Sequence, residues 1–164
     1  TVTPIAVARY ISALVNGGTV YDAHVVQKVL DSKGNTVYET EPVVYNQLNV
    51  NDEYLNAIKE GMKDVISGED ATTATRQFED CIYKDQLGGK TGTAQVNNIN
   101  LENNSWFVAF APYDKPEIAI VVFIPSGYAG GYSGYTVRVI AEHYLDQKYN
   151  TQTDEVPEKD SIVY

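Results

Sequence analysis

Gly88-Gly89-Lys90-Thr91-Gly92-Thr93-Ala94-Gln95 is the stretch on which the reading of this chain turns. Two chemistries compete for it. Gly89-Lys90-Thr91 matches the end of the phosphate-loop pattern G-x-x-x-x-G-K-[ST], which needs a glycine at position 84 and a helix straight after. Position 84 is Lys84, and Gly92, Thr93 and Val96 disfavour a helix, so the nucleotide reading fails on both counts. The alternative is a β-strand bearing Lys-Thr-Gly. Lys90 then supplies a fixed positive charge, and the hydroxyls of Thr91 and Thr93 can hold a carboxylate. Gly92 lets an extended peptide come close to the backbone. Backbone N–H groups of such a strand can pair with that peptide, or stabilise an oxyanion. An ordinary exposed lysine beside a glycine turn would give the same tripeptide, so the surroundings decide.

Downstream, Ser105 to Ala111 (SWFVAFA) and Glu117 to Ile124 (EIAIVVFI) are β-forming and almost wholly apolar. Pro112-Tyr113-Asp114-Lys115-Pro116 joins them, which predicts an antiparallel hairpin. Continuous apolarity predicts central strands covered on both faces. The Gly/Tyr-rich run Ser126 to Gly134 lacks the G-x-G-x-x-G spacing and is read as a flexible connection. Val137, Ile140, Ala141, Tyr144 and Leu145 then give the core face of a last helix. Residues 151–164 form an acidic tail, expected to be poorly ordered.

Upstream, Thr3-Pro4 reads as an N-cap with proline at the first helical position. Ile5, Ala8, Ile11, Leu14 and Val15 follow at helical spacing, and Gly17-Gly18 ends the run. His24 to Leu30 and Thr36 to Glu39 flank the turn formers Asp31 to Asn35, a peripheral hairpin. That turn lacks the further acidic ligands of a calcium loop. Asn51 or Asp52 caps a second helix with an apolar stripe of Leu55, Ile58, Met62, Val65 and Ile66, stopped by Gly68. Tyr54, Asn56 and Lys59 on it are read as solvent-facing.

Composition narrows the chemistry. Aspartate and glutamate outnumber lysine and arginine 22 to 12 in 164 residues, a formal net charge of −10, and no basic cluster offsets it. Nucleic acid and anionic membrane surfaces are disfavoured partners. The single cysteine, Cys81, allows no internal disulfide and no cysteine-based zinc site, and is read as inert and semi-buried rather than catalytic. His24 and His143 belong to no metal motif; no metal or cofactor is expected. No apolar run approaches the roughly 20 residues needed to span a bilayer.

In this context the chain resembles the class B penicillin-binding proteins, the membrane-anchored D,D-transpeptidases of bacterial wall synthesis. The resemblance runs through TPIAVARYISALVNGG, GMKDVISGEDATTA, GGKTGTAQV, SWFVAFAP, the apolar strand and the closing helix, over residues 1–150 in the expected order. KTGTAQ followed by W-F-V-x-F-A-P is highly specific for that family. It implies an α/β (α+β) fold, an antiparallel sheet flanked by helices, of which this chain holds the last three strands: a partial β-lactamase/transpeptidase-like fold.

The resemblance also implies an acyl-serine mechanism, in which a serine attacks the D-Ala-D-Ala bond of a peptidoglycan stem peptide or the ring of a β-lactam antibiotic. On that analogy Lys90 lies beside the reactive centre, and Thr91 and Thr93 bind the carboxylate of substrate or drug. The Thr93 N–H forms half of an oxyanion hole, a contribution of about 3–4 kcal/mol. Gly92 keeps the groove open, while Trp106 and Phe107 support the strand from behind. The implied location is the outer face of the bacterial cell membrane, with the anchor upstream.

The family's nucleophile motif S-x-x-K and its S-x-N motif are absent. Ser12, Ser32, Ser67, Ser105, Ser126, Ser133 and Ser161 have no lysine three positions on and no asparagine two positions on. Both motifs lie upstream of K-T-G in the family, so the chain reads as the C-terminal half of a transpeptidase domain, inactive alone. Its expected partner is the missing N-terminal half of that domain, and uncovered apolar surface would favour self-association. A serine β-lactamase or sensor of the same fold, or a non-catalytic binding module, are the rival readings. Gly134-Tyr135-Thr136, placed just before the last helix, depart from the small residues and proline usual in the family.

Overall fold

The computed structural model describes residues 2–69, 73–96 and 101–150, with the side chain of Thr73 left aside. The acidic tail therefore lies outside the described residues.

Helix α1 (Pro4–Val15) starts as its sequence dictates: the Thr3 hydroxyl accepts from the Ala6 N–H at 3.3 Å, with Pro4 in the first turn. Ile11, Ala13 and Leu14 are buried. Two small antiparallel ladders follow, β1 (Thr19–Tyr21) with β4 (Val44–Gln47) and, between them in sequence, β2 (Lys28–Leu30) with β3 (Thr36–Glu39). The Asp31 carboxylate closes the inner turn, accepting from Lys33 N at 2.8 Å and from Asn35 N and Nδ2 at 2.9 Å each. These bonds hold its pKa below the usual carboxylate value. Both oxygens thus serve the turn itself.

Helix α2 (Asp52–Ser67) is capped by Asn51, whose side-chain oxygen accepts from Glu53 N at 3.0 Å. Leu55, Met62 and Ile66 are buried. Tyr54 and Asn56 are exposed as expected, whereas Lys59 is half-buried, its ammonium 5.2 Å from the centre of the Tyr113 ring. Short helix α3 (Thr73–Gln77) leads through a single 3-10 turn, Lys84–Gln86, into β5 (Gly88–Ala94).

Strands β5, β6 (Asn104–Ala111) and β7 (Ile118–Ile124) form an antiparallel sheet in the order β5-β6-β7. Directly opposed residues share a face, and successive residues alternate. One face carries Phe107, Ala109, Ala111 and Ile120 against Ile66, Ala74, Phe78, Leu87 and the buried side of α4 (Gly134–Asn150). The other carries Val108 and Phe110 against Ile11 and Leu14 of α1 and Leu55 and Met62 of α2. Helices cover both faces, as the fold class requires.

Central position holds for β6 but not for β7. All but two residues of β6 are buried, while six of the seven in β7 are only half-buried, because among the described strands β7 has a neighbour on one side alone. The helical stripes are also narrower than their spacing suggested. Ile5, Ile58 and Ile140 are 58%, 41% and 40% exposed, since no described element lies beyond them. The last helix begins at Gly134, so Tyr135 and Thr136 form its first turn instead of preceding it. Gly134, Val137, Ala141 and Leu145 make its buried side, and Tyr144 is half-buried.

Candidate functional site on strand β5

Gly88 and Gly89 set where the strand runs. A Cβ on Gly88 would come 2.4 Å from the Phe110 ring. One on Gly89 would come 2.7 Å from Phe107 and 2.8 Å from Ile66. Side chains of the central strand and of α2 fill those spaces, so the chain enters the sheet at van der Waals distance from its own core. From Lys90 the strand emerges: Lys90 and Thr93 are exposed, Thr91 and Gly92 half-buried.

Pairing is continuous from Gly88↔Phe110 to Ala94↔Asn104. It includes Lys90↔Val108, Thr91↔Phe107, Gly92↔Trp106 and Thr93↔Ser105. Alternation therefore puts the two threonines on the face of Phe107 and Ser105, and Lys90 with Gly92 on the face of Val108 and Trp106. Lys90 nonetheless folds back, its Nζ donating to the Thr91 carbonyl at 2.8 Å. The four-carbon stem brings the charge to the strand backbone although its Cβ points the other way. Among the described strands β5 pairs with β6 only, so its other edge has no strand partner.

Trp106 and Phe107 do not act together behind the strand. Phe107 is fully buried against Phe78, ring centres 5.7 Å apart. Trp106, on the opposite face, is half-buried and packs on Phe123 at 4.4 Å. Consecutive residues of a strand cannot share a face, which corrects the expectation that both support β5 from one side.

The glycine-rich connection is a built part of the site. Its 3-10 turn, Gly130–Ser133, packs against β5, and Gly130, Gly131 and Ser133 are buried. The Gly130 N–H donates to the Thr93 hydroxyl at 3.0 Å. Ser105 and Ser133, both fully buried, lie 2.8 Å apart through their hydroxyls. Ser105 Oγ is also 2.7 Å from the Ala129 carbonyl oxygen, and Ser133 Oγ 2.9 Å from that of Gly130. The expectation of a flexible connection is thereby corrected. Sequence reasoning saw four glycines without a phosphate spacing; the signal that would have found this turn is the serine embedded among them.

Other polar groups are structural. Cys81 is 3% exposed, and burial raises its thiol pKa to about 11, which keeps it protonated at neutral pH. Glu117 receives Lys148 Nζ at 2.5 Å and the Tyr144 hydroxyl at 3.0 Å, tying α4 to the base of β7. Among the described residues no three His, Cys, Asp or Glu side chains gather as metal ligands. No helix among them is long and apolar enough to cross a membrane.

Residues 1–145 match the family described as the penicillin binding protein transpeptidase domain. The peptidoglycan D,D-transpeptidase MrdA of Haemophilus influenzae is 29% identical over 163 residues, which cover 90% of this chain and 24% of that protein. Penicillin-binding protein 2A of Bacillus subtilis is 30% identical over 166 residues, 90% of this chain and 22% of that protein. This chain thus spans roughly a quarter of the length of those relatives. Among solved structures, penicillin-binding protein 2B of Streptococcus pneumoniae strain R6 superposes with a TM-score of 0.72 at 26% identity. That likeness covers 93% of this chain and 26% of the other. The imipenem acyl-enzyme complex of penicillin-binding protein A from M. tuberculosis gives 0.72 at 22% identity, covering 88% of this chain and 31% of the other, a likeness of fold.

Proposed function

This chain belongs to the penicillin-binding protein transpeptidase domain family, and from that membership we propose that it supplies the carboxylate-binding strand of a peptidoglycan D,D-transpeptidase. The observation that carries the reading is the geometry of β5. Thr91 and Thr93 present two hydroxyls on one face of a strand whose other edge has no partner among the described strands, with the Lys90 ammonium held against the same backbone. Lys90 offers positive charge to the reacting centre, Thr91 and Thr93 donate to the terminal carboxylate of a stem peptide or of a β-lactam, and the Thr93 N–H aims at the developing oxyanion. Gly92 lets the extended peptide approach on the side that Gly130 leaves free.

The reaction itself is acyl transfer through serine, with the nucleophile outside this sequence, since none of its serines begins S-x-x-K. The N-terminal half of the domain, carrying S-x-x-K and S-x-N, covers apolar surface left exposed on both sides of the sheet, at Ile5 of α1 and Ile58 of α2 on one side and at Ile140 of α4 on the other. Without it the same surface promotes self-association. The site of action is the outer face of the bacterial cell membrane, where the wall is built.

Titration of this chain with N-acetyl-D-alanyl-D-alanine, followed by amide NMR, tests the site. Shifts are expected at Lys90–Thr93 and are lost in the T91V/T93V double variant; shifts elsewhere, or undiminished binding by that variant, would refute it. Penicillin is expected to leave the isolated chain unmodified in a mass spectrum, and an adduct on any of its serines would place the nucleophile here after all. The missing serine motif also fits a non-catalytic binding module. In-frame coding sequence upstream decides: S-x-x-K followed by S-x-N supports the transpeptidase, and a matching domain without that serine supports the module.

A further inference from the structure

We propose that Ser105 and Ser133 are positioning residues for Thr93, acting through Gly130; the inference rests on reading Lys90–Thr93 as a carboxylate site. Thr93 and Ser105 are directly opposed in the β5–β6 ladder, so their side chains leave the sheet side by side. The turn Gly130–Ser133 lies across both. It reaches Thr93 with the Gly130 N–H and Ser105 with the Ser133 hydroxyl.

Proton counting shows how the pair works. Two serine hydroxyls own two protons, yet they make three contacts: with the Ala129 carbonyl, with each other and with the Gly130 carbonyl. The bonds therefore run either Ser105 to Ser133 to Gly130 O, or Ser133 to Ser105 to Ala129 O. Both directions tie the same stretch of backbone, one residue apart, to the central strand. Neither serine is exposed to water, so loss of either hydroxyl leaves a buried partner short of a bond.

The consequence falls on Thr93. A threonine hydroxyl accepts twice and donates once. With the Gly130 N–H filling one acceptor position, the proton is turned away from the turn, and the hydroxyl presents a donor to an incoming carboxylate. A free rotor would lose entropy on binding that this one has already lost on folding. Gly130 can come this close only because it lacks a side chain: its Cβ would stand 2.6 Å from the Gly92 carbonyl oxygen.

The test compares S133A and S105A with the unaltered chain, using N-acetyl-D-alanyl-D-alanine as probe and the Gly130 amide proton as a second readout. L145A, in the buried side of α4, serves as a destabilised control. Both serine variants are expected to move the Gly130 amide proton upfield without ligand and to weaken the peptide roughly five- to tenfold, the effect of one misaligned hydrogen bond. L145A is expected to lower the unfolding temperature and leave both readouts in place. Binding by the unaltered chain that persists in S133A and S105A overturns the positioning role alone. No binding by the unaltered chain defeats the carboxylate site and this inference with it. Equal weakening by L145A makes the serines merely structural.

Discussion

Gly130 sits directly on the backbone of Gly92, with room between them for no side chain: a Cβ on Gly130 would lie 2.6 Å from the Gly92 carbonyl oxygen and 2.7 Å from its nitrogen. Through this contact the connection before the last helix becomes a wall of the K-T-G strand. G130A must push the turn off β5, and overpacking of this kind costs about 1–3 kcal/mol. A fall in unfolding temperature is expected, together with loss of the hydrogen bond to Thr93. An unchanged melting curve would mean that the contact is looser than the structure has it.

Phe107 joins the site to the core, since it lies opposite Thr91 and packs on Phe78. Both rings are fully buried. Truncation of either to alanine should destabilise by about 3–5 kcal/mol. Chemical denaturation is the measurement, and a loss under 1 kcal/mol would contradict the packing described here.

Lys90 should behave in the opposite way. It is exposed, and among the described residues its side chain hydrogen-bonds the neighbouring Thr91 carbonyl alone. K90A is expected to change stability by no more than about 0.5 kcal/mol while weakening capture of the D-Ala-D-Ala carboxylate. Stability and binding falling together would make Lys90 a structural residue.

Cys81 gives an alkaline signature. Its folded pKa of about 11 lies above the ordinary 9.0, so the fold favours the thiol and the unfolded chain the thiolate. Its contribution is complete below pH 9 and is lost as pH rises from about 9 towards about 11. C81A should flatten that part of the stability profile, and iodoacetamide should leave native Cys81 unmodified at neutral pH. Rapid alkylation under those conditions would contradict its burial.

Glu117 works at the acid end. Lys148, then the Tyr144 hydroxyl, hold its carboxyl below the ordinary value. A lowered folded pKa means stability that is present above the ordinary glutamate range and declines as pH falls through it. E117Q should remove that part of the acid dependence, and salt should reproduce some of the effect because the pair is partly exposed. An acid profile identical in the variant would show that the pair contributes nothing measurable.

Much of the fold is written in local pattern. Proline after Thr3, asparagine before α2, and two apolar runs around Pro112 to Pro116 specify helix starts and a hairpin through short-range sterics and capping. Identical residues at those places would form the same elements in most surroundings. The Lys-Thr-Gly-Thr run likewise named its own strand and excluded a phosphate loop, because Gly92 and β-branched threonines are poor helix formers. The two-residue period of a strand puts Thr91 and Thr93 on one face wherever that strand lies.

What tertiary structure decided concerns neighbours, which no local pattern encodes. Ile5, Ile58 and Ile140 have core spacing yet stand exposed, because burial depends on what lies across from a helix face. Alternation separated Trp106 from Phe107 once the register with β5 was fixed. The four glycines between Ser126 and Gly134 read as slack chain; one of them, Gly130, proved small enough to lie on Gly92 and bring an N–H to Thr93. Contacts between residues 37 apart, like that of Thr93 with Gly130, arise only when the whole sheet has formed, and the site is built from such contacts.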